Sequence, residues 1–325
     1  MYQYFDKKGL SLSGEQLVNA CNGHQDYYVV GANVGGVELL GKRESQEDRM
    51  IFCDLDQMAC MQFSRLSEKQ KTQLFQSVFA QMQQHIVANL KCENVLHQGA
   101  TAMLSLLEVG KQSCWSASLG DGQVFLVHLS SEGTLKAVQE LNYRHNPDEP
   151  RELLRLTEYT TQIGKALDDL APICSGYKRR LAGVLAVSRA FGDTAYDRYG
   201  MIHVPEIQKT HYNALTGEKI FIINACDGLT ESDAITHSML GEYISLHHHS
   251  QNCGLMAHGL AEWAIREGSQ DNISVQIVEL TALDKASLCM LAVFDGHGGS
   301  EVAAHLKAHF ESIFLSCLAF PRIFE

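Results

Sequence analysis

Residues 290–299 read Met290-Leu291-Ala292-Val293-Phe294-Asp295-Gly296-His297-Gly298-Gly299. An unbroken apolar run of this length fits a strand buried on both faces, and it ends abruptly in an acid. Asp-Gly alone is a common hairpin turn. A hairpin does not need a histidine set among three glycines, however. Gly298-Gly299 also leads into Val302, Leu306, Phe310, Ile313, Phe314 and Cys317, a stripe at helical spacing, so bare backbone there can approach a ligand. The same device recurs upstream. Phe221-Ile222-Ile223-Asn224-Ala225-Cys226 runs into Asp227-Gly228, and Gly268-Ser269-Gln270-Asp271-Asn272 opens the run Ile273-Ser274-Val275. A fourth element, Arg43-x-x-x-Glu47-Asp48, has strand character; if it is extended, Arg43 and Glu47 share a face. An adjacent cation and acid also make an ordinary surface pair.

Composition limits what these elements can serve. The chain has 325 residues, with 26 Lys+Arg against 38 Asp+Glu and a formal charge of −12. That balance argues against non-specific nucleic-acid binding and against anionic membrane surfaces. With 45% hydrophobic and 20% charged residues the chain is globular in type, and with five prolines and no low-complexity tract it reads as one continuous domain over 1–325. The ten cysteines never form C-x-x-C, which speaks against a cysteine-based zinc site or a thioredoxin-like pair and for reduced core thiols. Met1 to Gly14 lacks a signal-like apolar stretch, and no run approaches the roughly 20 apolar residues of a membrane helix. The expected compartment is a reducing cytoplasm, with signal-independent export left open.

Strand-type runs cover Met50 to Phe52, Val124 to Leu129, Lys219 to Ala225, Ser274 to Leu280 and Leu288 to Phe294. Ser67 and Gln70 form a capping box ahead of Leu74, Phe75, Val78, Phe79, Met82, Ile86 and Val87 at helical spacing. A third helix is expected around Leu255 to Ile265. Strand runs with a few helices between them predict an α+β layered domain. Gly36 to Arg43 nearly spells a phosphate-binding loop, but Arg43 stands where a magnesium-holding hydroxyl belongs and no apolar helix follows.

If Glu47, Asp48, Asp227, Asp271 and Asp295 converge, they offer only oxygen ligands, the set preferred by magnesium or manganese. Packed carboxylates repel one another unless cations neutralise them. Two metals about 3.5–4 Å apart can deprotonate a bridging water for in-line attack on phosphorus. Arg43 would match phosphate oxygens and His297 could protonate a departing alkoxide. Together these parts describe a phosphoester hydrolase.

These residues resemble the motifs of the metal-dependent (type 2C) protein serine/threonine phosphatases. So do Leu185-Ala186-Val187-Ser188-Arg189-Ala190-Phe191-Gly192-Asp193, Gln98-Gly99-Ala100-Thr101-Ala102, Gly120-Asp121 and Pro205-Glu206-Ile207, so that the resemblance runs from about Tyr28 to Phe314. It implies a four-layer αββα sandwich of two antiparallel sheets flanked by helices, with two Mg2+ or Mn2+ ions at one end. It further implies that Asp295 bridges both ions, that the Gly296 carbonyl binds one, and that Asp227 and Asp271 hold one ion. Glu47 is implied to hold the other ion, with Asp48 acting through water. Arg43 is implied to grip the substrate phosphate and His297 to be the general acid. The expected reaction is attack of a metal-bridging hydroxide on phosphoserine or phosphothreonine of a protein substrate. A pseudophosphatase acting as a protein-binding module is the alternative.

Two departures from the family pattern stand out. Its members place the Asp-Gly-His-Gly-Gly strand soon after the Arg…Glu-Asp strand, whereas here Asp295 comes far downstream of Asp48 and the strand–helix unit at about 287–320 is last. Only a short connection is expected between Met58 and Ser67, where that unit belongs. A circular permutation joined near Thr281 to Asp284 in a monomer is the leading expectation; a domain-swapped dimer or a rearranged gene reading are the others. Arg144-His145 stands where the family usually has Asp-His, which puts a third metal site in doubt. Residues 156–180 correspond to a variable flap beside the site, with Lys178-Arg179-Arg180 as a candidate phosphopeptide contact or a solvated charge run. His247-His248-His249 is expected to be a surface loop.

Overall fold

The computed structural model describes residues 33–320 except 175–177, 232–234 and 251, together with the backbone of Tyr4–Phe5, Ser11–Leu12 and Tyr27–Val30. The side chains of the Met1 to Gly14 segment and Cys21 lie outside the described residues.

Two antiparallel sheets stack face to face. The first contains β1 (Tyr27–Val30), β2 (Val34–Leu39), β6 (Gln123–Leu129), β7 (Leu135–Glu140), β9 (Lys219–Ala225) and β10 (Ile273–Glu279), in the order β7-β6-β9-β10-β2-β1. The second contains β3 (Arg49–Leu55), β4 (Ala102–Glu108), β5 (Ser113–Leu119), β8 (Glu206–His211) and β11 (Leu288–Phe294), in the order β8-β5-β4-β11-β3. The phosphate-loop lookalike Gly36–Arg43 is the second half of β2 and the turn after it, and on β2 Gly35 abuts the backbone of Gly254.

Strand alternation explains the layering. In β9, Ile220 and Ile222 pack between the sheets, while Phe221, Ile223 and Ala225 face a cluster that includes Leu240, Ile244, Met256, Ala257 and Leu260. These last residues belong to helices α6 (His237–His247) and α7 (Cys253–Arg266). In β11, Cys289, Leu291 and Val293 face the other sheet. Leu288, Met290, Ala292 and Phe294 face α1 (Gln57–Arg65), α2 (Glu68–Asn89) and α8 (Glu301–Ala319). A strand buried on both faces has no polar positions, hence the continuous apolar run. The four layers are therefore helix, sheet, sheet and helix.

The capping box at Ser67 forms as its sequence requires. The α2 stripe is buried from Leu74 to Ile86, but Val87 is 52% exposed, because it lies a step beyond the face that meets α8. The segment between Met58 and Ser67 is helix α1, started by Asp56, whose carboxylate accepts from the Ala59 amide at 2.8 Å, rather than a short connection. Residues 156–163 likewise belong to a helix, α4 (Pro150–Ile163), which follows the short α3 (Cys92–His97); the flap-like stretch begins only after it, with the single turn α5 (Leu167–Leu170). Arg179 is consumed internally, its guanidinium reaching Asp168 at 2.5 Å and Ala171 O at 2.7 Å. His248 is buried, not exposed in a loop.

Glu152, on α4, organises the segment that leads to the site. Its carboxylate accepts from Ser188 Oγ at 2.6 Å, from Arg155 Nε at 2.9 Å and from Arg189 Nε at 2.9 Å. Arg155 also caps Gly200 O and Ser188 O. The Ser188-Arg189 pair of the sequence signature is thus an internal tie. Burial works against the Glu152 charge, but the hydrogen bonds from Arg189 and Arg155 prevail and bring its pKa down from 4.5 to about 2.

Two outcomes are expected. Phe310→Ala, at the centre of the α2–α8–sheet cluster, should cost about 3–5 kcal/mol in urea unfolding; a loss under about 1 kcal/mol would show that α8 is not integral to the core. Because the folded pKa of Glu152 is depressed, its contribution is present above the unfolded value and lost as pH falls from about 4.5 towards about 2. Glu152→Gln should therefore be markedly less stable than wild type at neutral pH, with the gap narrowing across that acid window. A pH-independent gap would contradict the assignment.

Candidate active site

β11 is hydrogen-bonded on both edges, to β3 from Leu288↔Leu55 to Phe294↔Arg49 and to β4 from Leu288↔Glu108 to Val293↔Met103. Asp295 leaves the end of this central strand, and its carbonyl accepts from Thr101 N at 2.8 Å. Gly296–His297 then pairs with Gly99–Ala100, which pairs in turn with Phe191–Gly192. The Asp-Gly step is therefore a strand continuation and not a hairpin. Two glycines are forced by proximity. A Cβ on Gly99 would lie 2.2 Å from Asp193 Oδ2 and 2.5 Å from His297 Nε2, and one on Gly296 would lie 2.5 Å from Glu47 O.

Carboxylates from four chain segments meet beside Asp295. Asp48 is fully buried just before β3; its Oδ2 accepts from Ser274 Oγ at 2.7 Å, from the inter-sheet face of β10. Its Oδ1 is buried with no hydrogen-bond partner among the described residues. Burial, with the charges of Asp271 and Glu38 behind it, raises the Asp48 pKa to about 7 despite the Ser274 bond. Asp227 opens the 3-10 turn Asp227–Leu229 at the end of β9, and its ligand atoms and those of Cys226 and Asp295 lie within 4.8 Å of one another. Both carboxyls are pushed well above the usual carboxylate range. For Asp227 the cause is burial and then Asp121 and Asp271; for Asp295 it is burial and then Asp48, Asp227, Asp271 and Asp121. The Cys226 thiol is held protonated by burial, accepts from Ser274 N at 3.1 Å and donates to Asn272 O at 3.4 Å. Sulfur is thus engaged elsewhere and the available donors are oxygens.

Asp271 stands in the turn before β10, and Glu231, which gave no sequence signal, holds that turn by accepting from Ser269 Oγ and the amides of Gln270 and Asp271. Arg43 lies in a turn and not on a strand, so it does not share a strand face with Glu47; its guanidinium meets Asp271 Oδ2 at 2.5 Å and is 55% exposed. Glu47 is placed by its amide on Asn272 Oδ1 at 2.9 Å, and its carboxylate accepts from Ser45 Oγ at 3.1 Å and Gly299 N at 3.3 Å.

His297 Nε2 is 2.5 Å from Asp193 Oδ2. Burial opposes the imidazolium, but Asp193 and then Asp121 and Glu47 hold its pKa above the ordinary value. Asp193 is fully buried in a left-handed conformation with φ +50, a strained geometry for a residue other than glycine. This is the end of the signature 185–193: Ser188 and Arg189 tie the segment to Glu152, and Asp193 is delivered to the histidine.

Asp193 and Asp121 were present in recognised motifs but carried no site role in the sequence. Asp121 is buried and accepts from Asn146 Nδ2 at 2.8 Å. Burial raises its pKa, countered by Asn146 and by the charge of Arg144. His145 closes the same corner, its Nδ1 accepting from Gly120 N at 3.0 Å. Within this run Asn146 and Arg144 act on Asp121, and His145 holds the neighbouring Gly120. The structure brings Arg43, Glu47, Asp48, Asp227, Asp271, Asp295, Gly296 and His297 to one end of the sandwich.

Buried acids with raised pKa values and an orphaned Asp48 oxygen make a donor set that suits a hard divalent cation.

Comparison with known proteins bears on the family and the fold. The family model described as Protein phosphatase 2C matches residues 18–273. The human "Integrin-linked kinase-associated serine/threonine phosphatase 2C" is 29% identical over 179 residues, 50% of this chain and 41% of that protein. "Probable protein phosphatase 2C 73" of Arabidopsis thaliana is 32% identical over 151 residues, 46% of this chain and 38% of its own length. The chain thus spans less than half the length of these curated relatives. Among solved structures, a phosphatase from Toxoplasma gondii superposes with TM-score 0.56 at 18% identity, covering 82% of this chain and 98% of that one. A Caenorhabditis elegans sex-determining protein gives 0.56 at 20% identity, covering 77% and 65%. At those identities the two structures bear on the fold alone. With its two antiparallel sheets, flanking helices and a family model spanning most of its length, this chain belongs to the protein phosphatase 2C family of metal-dependent phosphatases.

Proposed function

We propose that this chain hydrolyses phosphoserine and phosphothreonine in protein substrates, at the cluster built on Asp295. The observation that carries this reading is the placement of buried carboxylates beside an Asp193-paired His297, with Arg43 at the exposed rim. Two Mg2+ or Mn2+ ions would be held by Asp295, Asp227, Asp271, Glu47 and the Gly296 carbonyl, with Asp48 behind them through water. When bound, such ions activate a water and polarise the phosphoryl group. The remaining chemistry belongs to side chains. Arg43 turns its guanidinium from Asp271 to the phosphate oxygens and orients phosphorus for in-line attack. Asp193 keeps the His297 Nε2 proton engaged and the ring cationic, which leaves the Nδ1 proton for the departing serine or threonine oxygen. Arg144 places a permanent positive charge beside Asp121, a position that cannot also be a cation ligand, and this supports two ions over three.

β11 finds partners for both edges within one chain, so the reading as a circularly permuted monomer needs no second copy. No described helix is long and apolar enough to cross a membrane. The buried thiols of Cys114, Cys226, Cys253 and Cys289 fit a reducing compartment such as the cytoplasm.

Hydrolysis of an aryl phosphate and a phosphothreonine peptide with Mn2+, with and without chelator, tests the enzyme reading. Metal-dependent turnover is expected. A folded sample that binds the phosphopeptide without turning it over would identify a pseudophosphatase. His297→Ala should lower kcat on the phosphothreonine peptide by about 100-fold or more and on the aryl phosphate far less, since an aryl oxide leaves without a proton; equal losses would remove the general-acid role. Raised carboxyl pKa values predict a further effect. Their contribution to stability is present below about pH 4, where the groups are protonated folded and unfolded alike, and is lost as pH rises through the folded values. In metal-free protein, Asp295→Asn should therefore gain stability over wild type as pH rises from about 4 to 8, and Mg2+ should raise the wild-type midpoint more than the variant's. An unchanged difference across that range would separate Asp295 from the charged cluster.

A further inference from the structure

We propose that His85, His305 and His309 form a second metal site, separate from the carboxylate centre and selective for a borderline transition ion such as Zn2+. His305 and His309 are four residues apart on α8 and therefore lie on one helical face; His85 projects from α2, against which α8 packs. His85 Nδ1 and His305 Nε2 are 2.8 Å apart. The ring centroids lie 5.0 Å apart for His85–His305, 4.8 Å for His85–His309 and 4.4 Å for His305–His309. One ligand nitrogen from each ring falls within 4.8 Å of the other two, close enough for small rotations to bring all three around one ion.

The donor chemistry differs from that of the first site. Three imidazole nitrogens suit zinc, copper or nickel, whereas magnesium prefers carboxylate and water. The three rings are partly exposed, so an ion has a path in and a fourth position stays open for water. Neutral rings are required for ligation. Burial first, and then His309 and His85, lower the His305 pKa to about 4, so that the neutral form is present at working pH without a competing proton. Cysteine spacing gave no sign of such a site, because the ligands come from positions 85 and 305. A bound ion would cross-link α2 to α8, the helix that begins four residues after His297.

The experiment uses the full chain, stripped with chelator and then held at saturating Mg2+ to occupy the carboxylate centre. Zn2+ titration followed by calorimetry should show one equivalent bound beyond the Mg2+ sites, and Zn2+ should raise the thermal midpoint. Co2+ in its place should give the visible bands of a tetrahedral nitrogen-ligated ion without a thiolate charge-transfer band. His85→Gln, His305→Gln and His309→Gln should each weaken Zn2+ binding by about 100-fold or more, abolish the midpoint shift, and leave Mg2+-dependent turnover without Zn2+ unchanged. Each variant is compared with itself, with and without Zn2+, so a general loss of stability does not imitate the result. No Zn2+ equivalent in the wild type, binding that survives all three substitutions, or a cobalt spectrum dominated by thiolate would each overturn the site. Phosphatase turnover is not the readout, so failure of this site and failure of the catalytic reading are distinguishable.

Discussion

Strand β11 is the member on which the rest of the molecule depends. It is hydrogen-bonded to β3 on one edge and β4 on the other, apolar on both faces, and terminated by Asp295. Without it β3 has no neighbour in the second sheet, α8 has no bed, and the segment carrying Asp295 and His297 has no anchor. A strand in this position reaches its slot only by pairing with segments 180 or more residues earlier in the chain. Loop closure over such distances grows only logarithmically in cost, so the arrangement is thermodynamically mild although slow to assemble.

The site is a compromise between burial and charge. Asp48, Asp227 and Asp295 are sequestered with few compensating donors, and their raised pKa values show that the folded chain holds acids it does not itself neutralise. Two buried acids elsewhere are neutralised by direct partners. Glu152 receives two arginines and a hydroxyl, and Glu108 receives Lys71 at 2.6 Å and Trp115 Nε1 at 3.1 Å. The contrast separates acids that the fold pairs with cations of its own from acids that it leaves unpaired at the candidate site.

The positioning residues show the same economy. Asp193 is kept in a left-handed conformation by the short three-strand ladder around Gly99–Ala100 and by the Ser188-Arg189 tie to Glu152. Asn272 pins one loop at three points, accepting from Glu47 N and donating to Leu40 O and Ser45 O. Such residues touch no substrate, yet they set where the acids stand.

Much of the scaffold was legible because its signals are local. The capping box at Ser67, the α8 stripe and the apolar run of β11 are periodicities within a dozen or so residues, and each formed where its pattern placed it. The site acids were legible through their short motifs, since Asp-Gly at a strand end and Gly-x-x-Asp-Asn before a strand keep their character in one dimension. Helix α1 was missed because Gln57–Arg65 carries only a weak apolar face, Ala59 and Phe63, and gains its helicity from packing on α8. Arg43 was misplaced onto a strand because the turn at 41–45 has only Gly41 as a local mark and closes against Asp271, far along the chain. Asp121, Glu231 and the partnership of Asp193 with His297 depend on contacts across 25 to 104 positions. By itself the sequence determined the alternation of layers, the identity of the acids and the surplus of negative charge, all of which follow from short-range pattern and composition. Tertiary structure alone decided which acids would be neutralised, which histidines would meet and where the last strand would pair, because desolvation and charge interaction depend on distance in space and not along the chain.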